Sequence, residues 1–224
     1  MTTIAANLQA VRARIASSCL SAGRGVESVR LLAVSKTWSA AYVREAAAAG
    51  QFAFGENYAQ EAIDKMLQLQ DIALEWHFIG PLQSNKTKLI AENFDWVHSV
   101  DRLKIADRLS EQRPDSMRDL NVCLQVNVSG EASKSGCTPA EVLALASQIC
   151  ERPRLQLRGL MAIPAPGKKV HGTQFSVLRQ CFEDLNGKGF AMDTLSMGMS
   201  DDLEVAILEG STMVRIGTAI FGQR

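Results

Sequence analysis

The sequence lacks the marks of several protein classes. Its five cysteines are odd in number and scattered, and no two of them form a CxxC pair. A disulfide framework or a zinc site is therefore not expected. Aromatic residues make up only 6% of the chain, and no apolar run is long enough to span a bilayer. We expect a cytoplasmic protein with reduced thiols, no bound metal and no membrane partner.

Neither sign of charge is in excess. The chain has 24 basic and 24 acidic side chains, with no long block of either sign. A surface for nucleic acid or for an anionic membrane usually shows such a block, so neither partner is expected. A small neutral or mildly anionic ligand fits this composition better.

The first 20 residues have the spacing of an amphipathic helix. Apolar side chains recur at Ile4, Leu8, Val11, Ile15 and Cys19. A signal peptide would instead show a continuous apolar core. The pattern therefore predicts an N-terminal helix.

Short β-branched or apolar runs recur between helical segments, as in parallel strands covered by helices. Eight runs can be counted, the number that closes a barrel. They occupy residues 30–36, 52–57, 76–80, 96–100, 120–128, 157–163, 194–198 and 213–217. We predict one domain over residues 1–224, a single α/β (β/α)8 TIM-type barrel with an N-terminal helix. An open doubly wound sheet would show the same alternation, but the strand count favours the barrel and no GxGxxG follows the first strand.

Helix signals lie between the runs. Ser39 is placed to cap a helix through residue 49, and the segment 138–141 (TPAE) has the pattern of a capping box. Ser200, followed by two aspartates, predicts another helix start. Only seven residues follow Gly217, too few for a full last helix, so we expect the N-terminal helix to cover that gap.

Lys36 closes the first run and is the first candidate for chemistry. Active sites of such barrels lie at the carboxyl ends of the strands. A desolvated lysine loses its proton more readily and becomes an amine nucleophile for a carbonyl ligand. The alternative is that Lys36 extends from the strand end into water. Position alone does not separate the two.

The second candidate site lies at strands seven and eight, where barrels frequently bind phosphate. Residues 196–200 (SMGMS) and 215–218 (RIGT) offer hydroxyls, an arginine and glycines that let the backbone approach an oxygen cluster. The alternative is that these are ordinary turn glycines and caps. Together with Lys36, they would bind both ends of pyridoxal 5′-phosphate: the lysine would bind the aldehyde, and these two segments would bind the phosphate.

Five other residues have weaker claims to a functional role. Glu56 and Asn57 end the second run. They could position a ring hydroxyl, or they could simply form the turn that follows the strand. His77 is expected to be a hydrogen-bonded core histidine. Met161 could press on a ring face, although core filling is the usual role of such a methionine. Lys134 is expected to be solvated in a loop.

The chain resembles the pyridoxal phosphate homeostasis protein family in the segments LLAVSKTW, FGENYAQE, WHFIGPLQSNK, VNVSGEASKSG, LRGLMAIP, LSMGMSDD and STMVRIGTAIFG. The resemblance covers nearly the whole chain. That family is similar to the N-terminal barrel of alanine racemase, the third fold type of pyridoxal phosphate proteins, and binds the cofactor without an established catalytic activity.

The resemblance implies roles for individual residues. Lys36 would carry the cofactor as a Schiff base, and Arg215 would face the pyridine nitrogen or the phosphate. The phosphate would bind at Ser200, Gly217 and Thr218. The full cofactor-binding set, combining the resemblance with the strand-end analysis, is Lys36, Asn57, Met161, Ser196, Gly198, Ser200, Arg215, Gly217 and Thr218, with no catalytic residue.

Three functions compete. The first is storage and delivery of pyridoxal phosphate, with apoenzymes as possible recipients. The second is a small racemase or lyase that uses the same cofactor, and the third is an aldolase-like Schiff-base enzyme acting on a phosphosugar. We expect little turnover, because Arg215 would make the ring a weak electron sink and because racemisation needs a second acid or base on the opposite face. Alanine racemases take that group from an additional domain, which a chain ending at Arg224 is not expected to contain. With no second domain and no heptad pattern, a monomer is expected.

Overall fold

Eight parallel strands close into a barrel in the computed structural model, which describes residues 3–131, 134–165 and 168–223, with side chains in the last range from 172 onward. Each strand pairs with its neighbour in the sequence, and the eighth pairs with the first. The predicted (β/α)8 barrel is confirmed. The strands are β1 Arg30–Val34, β2 Ala53–Glu56, β3 Glu75–Phe78, β4 Trp96–Val100, β5 Leu120–Gln125, β6 Leu155–Met161, β7 Thr194–Ser196 and β8 Met213–Ile216.

Helices surround the barrel. The described α-helices are α1 Ile4–Ser21, α2 Ala40–Ala48, α3 Ala59–Leu67, α4 Thr87–Ala91, α5 Leu103–Gln112, α6 Val142–Cys150, α7 Lys168–Gly187, α8 Leu203–Leu208 and α9 Thr218–Phe221. Both faces of the strands are therefore covered, which explains why the strands are continuous apolar runs. Within the described residues, no helix is both long and apolar enough to cross a bilayer.

The N-terminal helix packs as its sequence pattern predicted. The buried residues of α1 are the five apolar positions of that pattern, from Ile4 to Cys19. The helix contacts α8 and α9, and the Asn7 side-chain amide donates a 2.8 Å hydrogen bond to the Ile220 carbonyl. Helix α1 thus completes the outer layer beside α9, which has only four residues.

Two predicted helix starts have different outcomes. The capping box is confirmed, because the Thr138 amide donates to Glu141 Oε2 at 2.8 Å and opens a short 3-10 turn that leads into α6. The helix expected to start at Ser200 begins instead at Leu203. The reason is Asp202, whose Oδ1 accepts from the Met199 amide at 2.6 Å and holds residues 199–202 in a turn.

Several strand ends differ from the prediction by one to three residues, and two of these differences, in β1 and β6, bear on the candidate site. Strand β1 ends at Val34, so Lys36 lies in the following turn and not on the strand. The next residue, Thr37, has a φ of +65°, a left-handed conformation that no strand continues. Strand β6 begins at Leu155 and ends at Met161, two residues before the predicted end. Pro164 lies shortly beyond and lacks the amide hydrogen that a longer strand would need.

Candidate functional site

A cavity of about 330 Å³ opens at the carboxyl ends of the strands. This is the end at which barrels of this type build their active sites, and the volume is in the range of roughly 300–1,000 Å³ that small ligands occupy. We call it the strand-end cavity. Its lining residues are Val34, Lys36, Asn57, Ile79, Ile163, Met199, Ser200, Asp201, Asp202, Arg215, Gly217 and Thr218.

A larger cavity of about 490 Å³ lies at the opposite end, beside α1 and the starts of β1 and β2. Arg12 and Gln51 contribute to its wall, but Arg12 already donates to the carbonyls of Ala49 and Gly50. Size alone therefore does not identify the site, and the strand-end cavity carries the reactive side chains.

Six of the nine predicted cofactor residues line the strand-end cavity, namely Lys36, Asn57, Ser200, Arg215, Gly217 and Thr218. Met161 does not: it is 1% exposed and packs inside the barrel with Trp96 and Cys123. Ser196 is fully buried beneath the wall. Gly198 has a φ of +98°, and a Cβ there would lie 2.6 Å from the Cβ of Ala206. It is a turn glycine required by local packing.

Two isoleucines are among the wall residues that were not predicted from the sequence. Ile79 follows β3 and Ile163 lies two residues beyond β6, where it is 43% exposed. They provide apolar surface that a flat ring could contact. An isoleucine directly before a proline and just after a buried strand was the available signal for Ile163.

Hydrogen bonds to side chains of β2 and α3 fix the turn that carries Lys36. The Ser35 carbonyl accepts from Lys65 Nζ at 2.7 Å, and the Ser35 hydroxyl donates to Glu56 Oε1 at 2.6 Å. The amide of Thr37 donates to Glu61 Oε1 at 2.5 Å. The residues on both sides of Lys36 are thus fixed, and the left-handed conformation of Thr37 is held in place by this bond.

Lys65 is the centre of this support. Its side chain is 5% exposed, and Nζ lies 2.6 Å from Glu56 Oε1 and 2.7 Å from Glu61 Oε1. Burial raises the pKa of Glu56, while the charge of Lys65 and its hydrogen bond oppose that shift. Glu56, considered as a possible ring contact, therefore belongs to a buried ion pair under the Lys36 turn.

Asn57 presents an unused acceptor at the cavity wall. Its Oδ1 is buried and has no hydrogen-bond partner among the described residues. Its backbone is held against Gly80, where a Cβ would lie 2.3 Å from the Asn57 carbonyl oxygen. Only glycine permits this contact. A buried polar atom without a partner is an expected feature of a ligand site.

Arg215 forms a fixed cation in the wall. Nη1 donates to the Ser196 carbonyl at 2.5 Å and to Ser196 Oγ at 2.9 Å, and Nη2 donates to the Ala162 carbonyl at 2.9 Å. Burial lowers the pKa of Arg215 to about 10, against the opposing charge of Asp202. The guanidinium is therefore charged at neutral pH.

The ends of β7 and β8 contribute hydroxyls. Ser200 and Thr218 both line the cavity, next to Gly217. Arg14 on α1 donates to the Ser200 carbonyl at 3.1 Å and so ties this turn to the N-terminal helix. Of the two neighbouring aspartates, Asp202 is 3% exposed and engages the Met199 amide, as described above.

Two further expectations concern His77 and Lys134. His77 is a fully buried, hydrogen-bonded core histidine, as predicted. Lys134 is not freely solvated: its Nζ is buried, and the residue lines a neighbouring cavity of about 290 Å³. This cavity shares Asn57, Ile79 and Ile163 with the strand-end cavity. Ala132 and Ser133 of the same motif lie outside the described residues.

The wall suits an aldehyde that carries a ring and a phosphate. It combines a primary amine, a charged donor, two hydroxyls, an unused amide oxygen and apolar surface. Pyridoxal phosphate has groups complementary to each of these. Within the residues that the structure describes, no cluster of three His, Cys, Asp or Glu side chains could hold a metal.

Comparison with known proteins gives concordant results. The family described as alanine racemase, N-terminal domain, matches residues 2–224. The pyridoxal phosphate homeostasis protein of Pseudomonas aeruginosa is 62% identical, over 100% of this chain and 97% of its own length. PipY of Synechococcus elongatus, solved with pyridoxal phosphate bound, is 39% identical and superposes with a TM-score of 0.87 over 98% of this chain and 100% of its own. Alanine racemase of Corynebacterium glutamicum shares the fold, with a TM-score of 0.70 and 20% identity, over 97% of this chain and 61% of its own.

Proposed function

We propose, since the chain belongs to the pyridoxal phosphate homeostasis protein family, that it binds pyridoxal 5′-phosphate in the strand-end cavity for storage and delivery. The observation that carries this proposal is that Lys36 shares one cavity with Arg215 and with the hydroxyls of Ser200 and Thr218. These groups match an aldehyde, a ring nitrogen and a phosphate. PipY, a relative of similar length, has been solved with this cofactor bound.

Lys36 is the residue that we propose to hold the cofactor covalently. When bound, the cofactor supplies an aldehyde that condenses with a primary amine to a Schiff base, with loss of water. Lys36 is the lysine among the described residues that line the cavity. Its turn is fixed by Lys65 and Glu61, so the amine is presented from a constrained backbone.

The remaining residues would hold the other parts of the molecule. Ser200, Gly217 and Thr218 would hold the phosphate, with hydroxyl donors and a backbone that Gly217 leaves accessible. Arg215 would face the ring nitrogen. A guanidinium only donates hydrogen bonds, so it would leave that nitrogen as an acceptor.

The cavity favours holding the cofactor over turnover. Exchange of a substrate proton on two faces needs two acid or base groups. Apart from Lys36 and Arg215, the ionisable side chains among the described lining residues are Asp201 and Asp202. They are adjacent in the chain, so both approach from the same wall. No second base lies across the cavity in the part of the chain that the structure describes.

Three further features belong to this proposal. We expect the protein to act as a monomer, in the cytoplasm, with pyridoxal phosphate-dependent apoenzymes as recipients. The monomer is supported by the cavity wall, which one chain supplies. A role in homeostasis of the cofactor is supported by the likeness to the pyridoxal phosphate homeostasis protein of Pseudomonas aeruginosa.

Loss of a phosphate donor is expected to weaken binding selectively. Ser200→Ala and Thr218→Val should each raise the dissociation constant for pyridoxal phosphate by the equivalent of roughly 1–3 kcal/mol, because each removes a donor to a dianion. Binding of pyridoxal, which lacks the phosphate, should be weaker in the unmodified protein and insensitive to both changes. Absorbance titration measures all of these constants.

The control is Ser147→Ala, which removes a hydroxyl from the exposed side of α6. It should leave both affinities unchanged. Equal affinities for pyridoxal and its phosphate in the unmodified protein would show that this wall is not the phosphate site.

A further inference from the structure

A row of polar side chains crosses the barrel interior from the amino-terminal end to the strand-end cavity. We call it the interior chain; its members are Glu75 and His77 on β3, His98 on β4, Ser196 on β7 and Arg215 on β8. The contacts are 2.6 Å from Glu75 Oε1 to His77 Nε2, 2.9 Å from His77 Nδ1 to His98 Nε2, 2.8 Å from His98 Nδ1 to Ser196 Oγ and 2.9 Å from Ser196 Oγ to Arg215 Nη1.

The two ends of the interior chain differ in exposure. The side chain of Glu75 is 36% exposed and also pairs with Arg30 at 2.7 Å. His77, His98 and Ser196 are fully buried, and Arg215 forms part of the cavity wall. A connected set of hydrogen bonds therefore links the barrel floor to the proposed cofactor site.

The protonation states at the start of the chain are fixed. Burial acts to raise the pKa of Glu75, but the hydrogen bond from His77 and the charge of Arg30 outweigh it, so Glu75 is a carboxylate that only accepts. Burial lowers the pKa of both histidines, further for His98, which also lies near Arg215. Both rings are therefore neutral at neutral pH, with one N–H each.

Every hydrogen in the chain is then determined. His77 must donate from Nε2 to Glu75, which leaves its Nδ1 as an acceptor. His98 must donate from Nε2 to that atom, so its own Nδ1 accepts from the Ser196 hydroxyl. Ser196 Oγ can then only accept from Arg215. All donors point towards Glu75, and no other assignment satisfies the four contacts.

The ring orientations are also held. His77 stacks on Trp96, with ring centroids 5.2 Å apart and an angle of 13° between the planes. The guanidinium of Arg158 lies over the Trp96 ring, with its carbon 4.9 Å from the ring centroid. Packing therefore opposes a ring flip that would exchange nitrogen and carbon positions.

We propose that the interior chain fixes one tautomer of each histidine, an arrangement that we call the tautomer lock. In it, Glu75, His77 and His98 act as positioning residues that orient Arg215 towards the cofactor ring. Ser196 Oγ offers its lone pair to Arg215 because its own hydrogen is committed to His98. With Nη1 and Nη2 anchored on Ser196 and Ala162, the guanidinium has one orientation in the wall. The identity of the ligand in this inference rests on the proposed function. The tautomers of His77 and His98 do not depend on it.

The chain does not serve as a proton path. Moving one proton along it would pass the Ser196 hydrogen to His98 and require Arg215 to replace it. That step would leave a neutral guanidine in the wall, which is strongly disfavoured at neutral pH. The chain consequently holds a fixed direction of hydrogen bonding.

The lock is tested without cofactor by ¹⁵N NMR of the imidazoles in the full-length protein. Both His77 and His98 should carry their hydrogen on Nε2 and have an unprotonated Nδ1. A hydrogen on Nδ1 of either ring would overturn the lock. This result does not depend on whether the protein binds pyridoxal phosphate, so it separates failure of the lock from failure of the proposed function.

The effect on the cofactor is tested with matched variants. Glu75→Leu removes the acceptor that sets the direction, and should change the tautomer of His77 and raise the dissociation constant for pyridoxal phosphate by roughly three- to tenfold, as for one lost hydrogen bond. Glu75→Gln keeps an acceptor oxygen and should rescue both readouts. Arg30→Gln removes the ion pair to Glu75 but not the chain, and should leave both readouts unchanged.

Three outcomes would overturn this role. One is an unchanged tautomer and affinity in Glu75→Leu, and the second is an equal loss of affinity in Arg30→Gln. The third is a loss of affinity in Glu75→Leu without any change of tautomer, since that would show a structural effect. If Glu75→Leu does not fold, Ser196→Ala replaces it, because this change removes the hydroxyl that joins His98 to Arg215. An unchanged affinity for pyridoxal phosphate in Ser196→Ala would then overturn the role.

Discussion

Lys36→Ala is expected to abolish the visible absorption band that pyridoxal phosphate gives with this protein. The band requires conjugation through a nitrogen of the protein, and Lys36 provides the amine of the strand-end cavity among the described residues. Borohydride reduction should fix the cofactor on Lys36 in the unmodified protein and label no peptide of the variant. Absorbance spectra and mass mapping of the reduced protein measure both effects.

The matched control for this experiment is Lys134→Ala. Lys134 lines the neighbouring cavity, which shares Asn57, Ile79 and Ile163 with the strand-end cavity. This variant should keep the band and the reduced adduct on Lys36. If the adduct maps to Lys134, or persists at full yield in Lys36→Ala, the assignment of Lys36 is wrong.

Lys65→Met is expected to cause a large loss of stability. It leaves the Glu56 carboxylate, which is fully buried, without its cation, and such a loss typically costs about 3–5 kcal/mol in the free energy of unfolding. It also removes the donor to the Ser35 carbonyl, next to Lys36. Urea unfolding measures the loss of stability. The rate of cofactor attachment should also fall, because the turn next to Lys36 loses the hydrogen bond at Ser35.

The double variant Glu56→Gln with Lys65→Met separates charge from packing. It should be more stable than Lys65→Met alone, because the unpaired buried charge is gone. Arg44→Gln is the exposed control: it breaks the surface pair between Arg44 and Asp71 and should leave stability almost unchanged. Equal stability of Lys65→Met and Arg44→Gln would contradict the role assigned to Lys65.

The barrel itself could be predicted from the sequence, because burial on both faces leaves each strand as an apolar run that helices interrupt. The pattern of α1 was equally informative, since a surface helix buries one stripe. Strand ends were less predictable. The turn at Thr37 depends on Glu61, which is 24 residues away in the sequence. No local pattern reports such a bond.

The candidate site also has a part that could be predicted from the sequence and a part that could not. Lys36, Arg215 and Ser200 could be placed around one cavity because strand ends converge at one face of a barrel. Which way a side chain points could not be read in the same manner: Met161 and Ser196 end their strands but face the interior. The interior chain was missed because His98 and Ser196 are 98 residues apart. Only the closed barrel brings them together.

We propose that this protein holds pyridoxal phosphate without turning over amino acids. The direct test is α-proton exchange, followed by NMR, when the cofactor-loaded protein is mixed with a panel of amino acids in deuterated water. We expect no racemic product, because racemisation needs a second base and none faces Asp201 and Asp202 across the described cavity wall. Exchange should not exceed that of free pyridoxal phosphate, because Arg215 would leave the ring nitrogen as an acceptor and make the ring a weaker electron sink. Sustained exchange at ordinary enzyme rates that is lost in Lys36→Ala, with racemic product, would contradict the account and identify an enzyme.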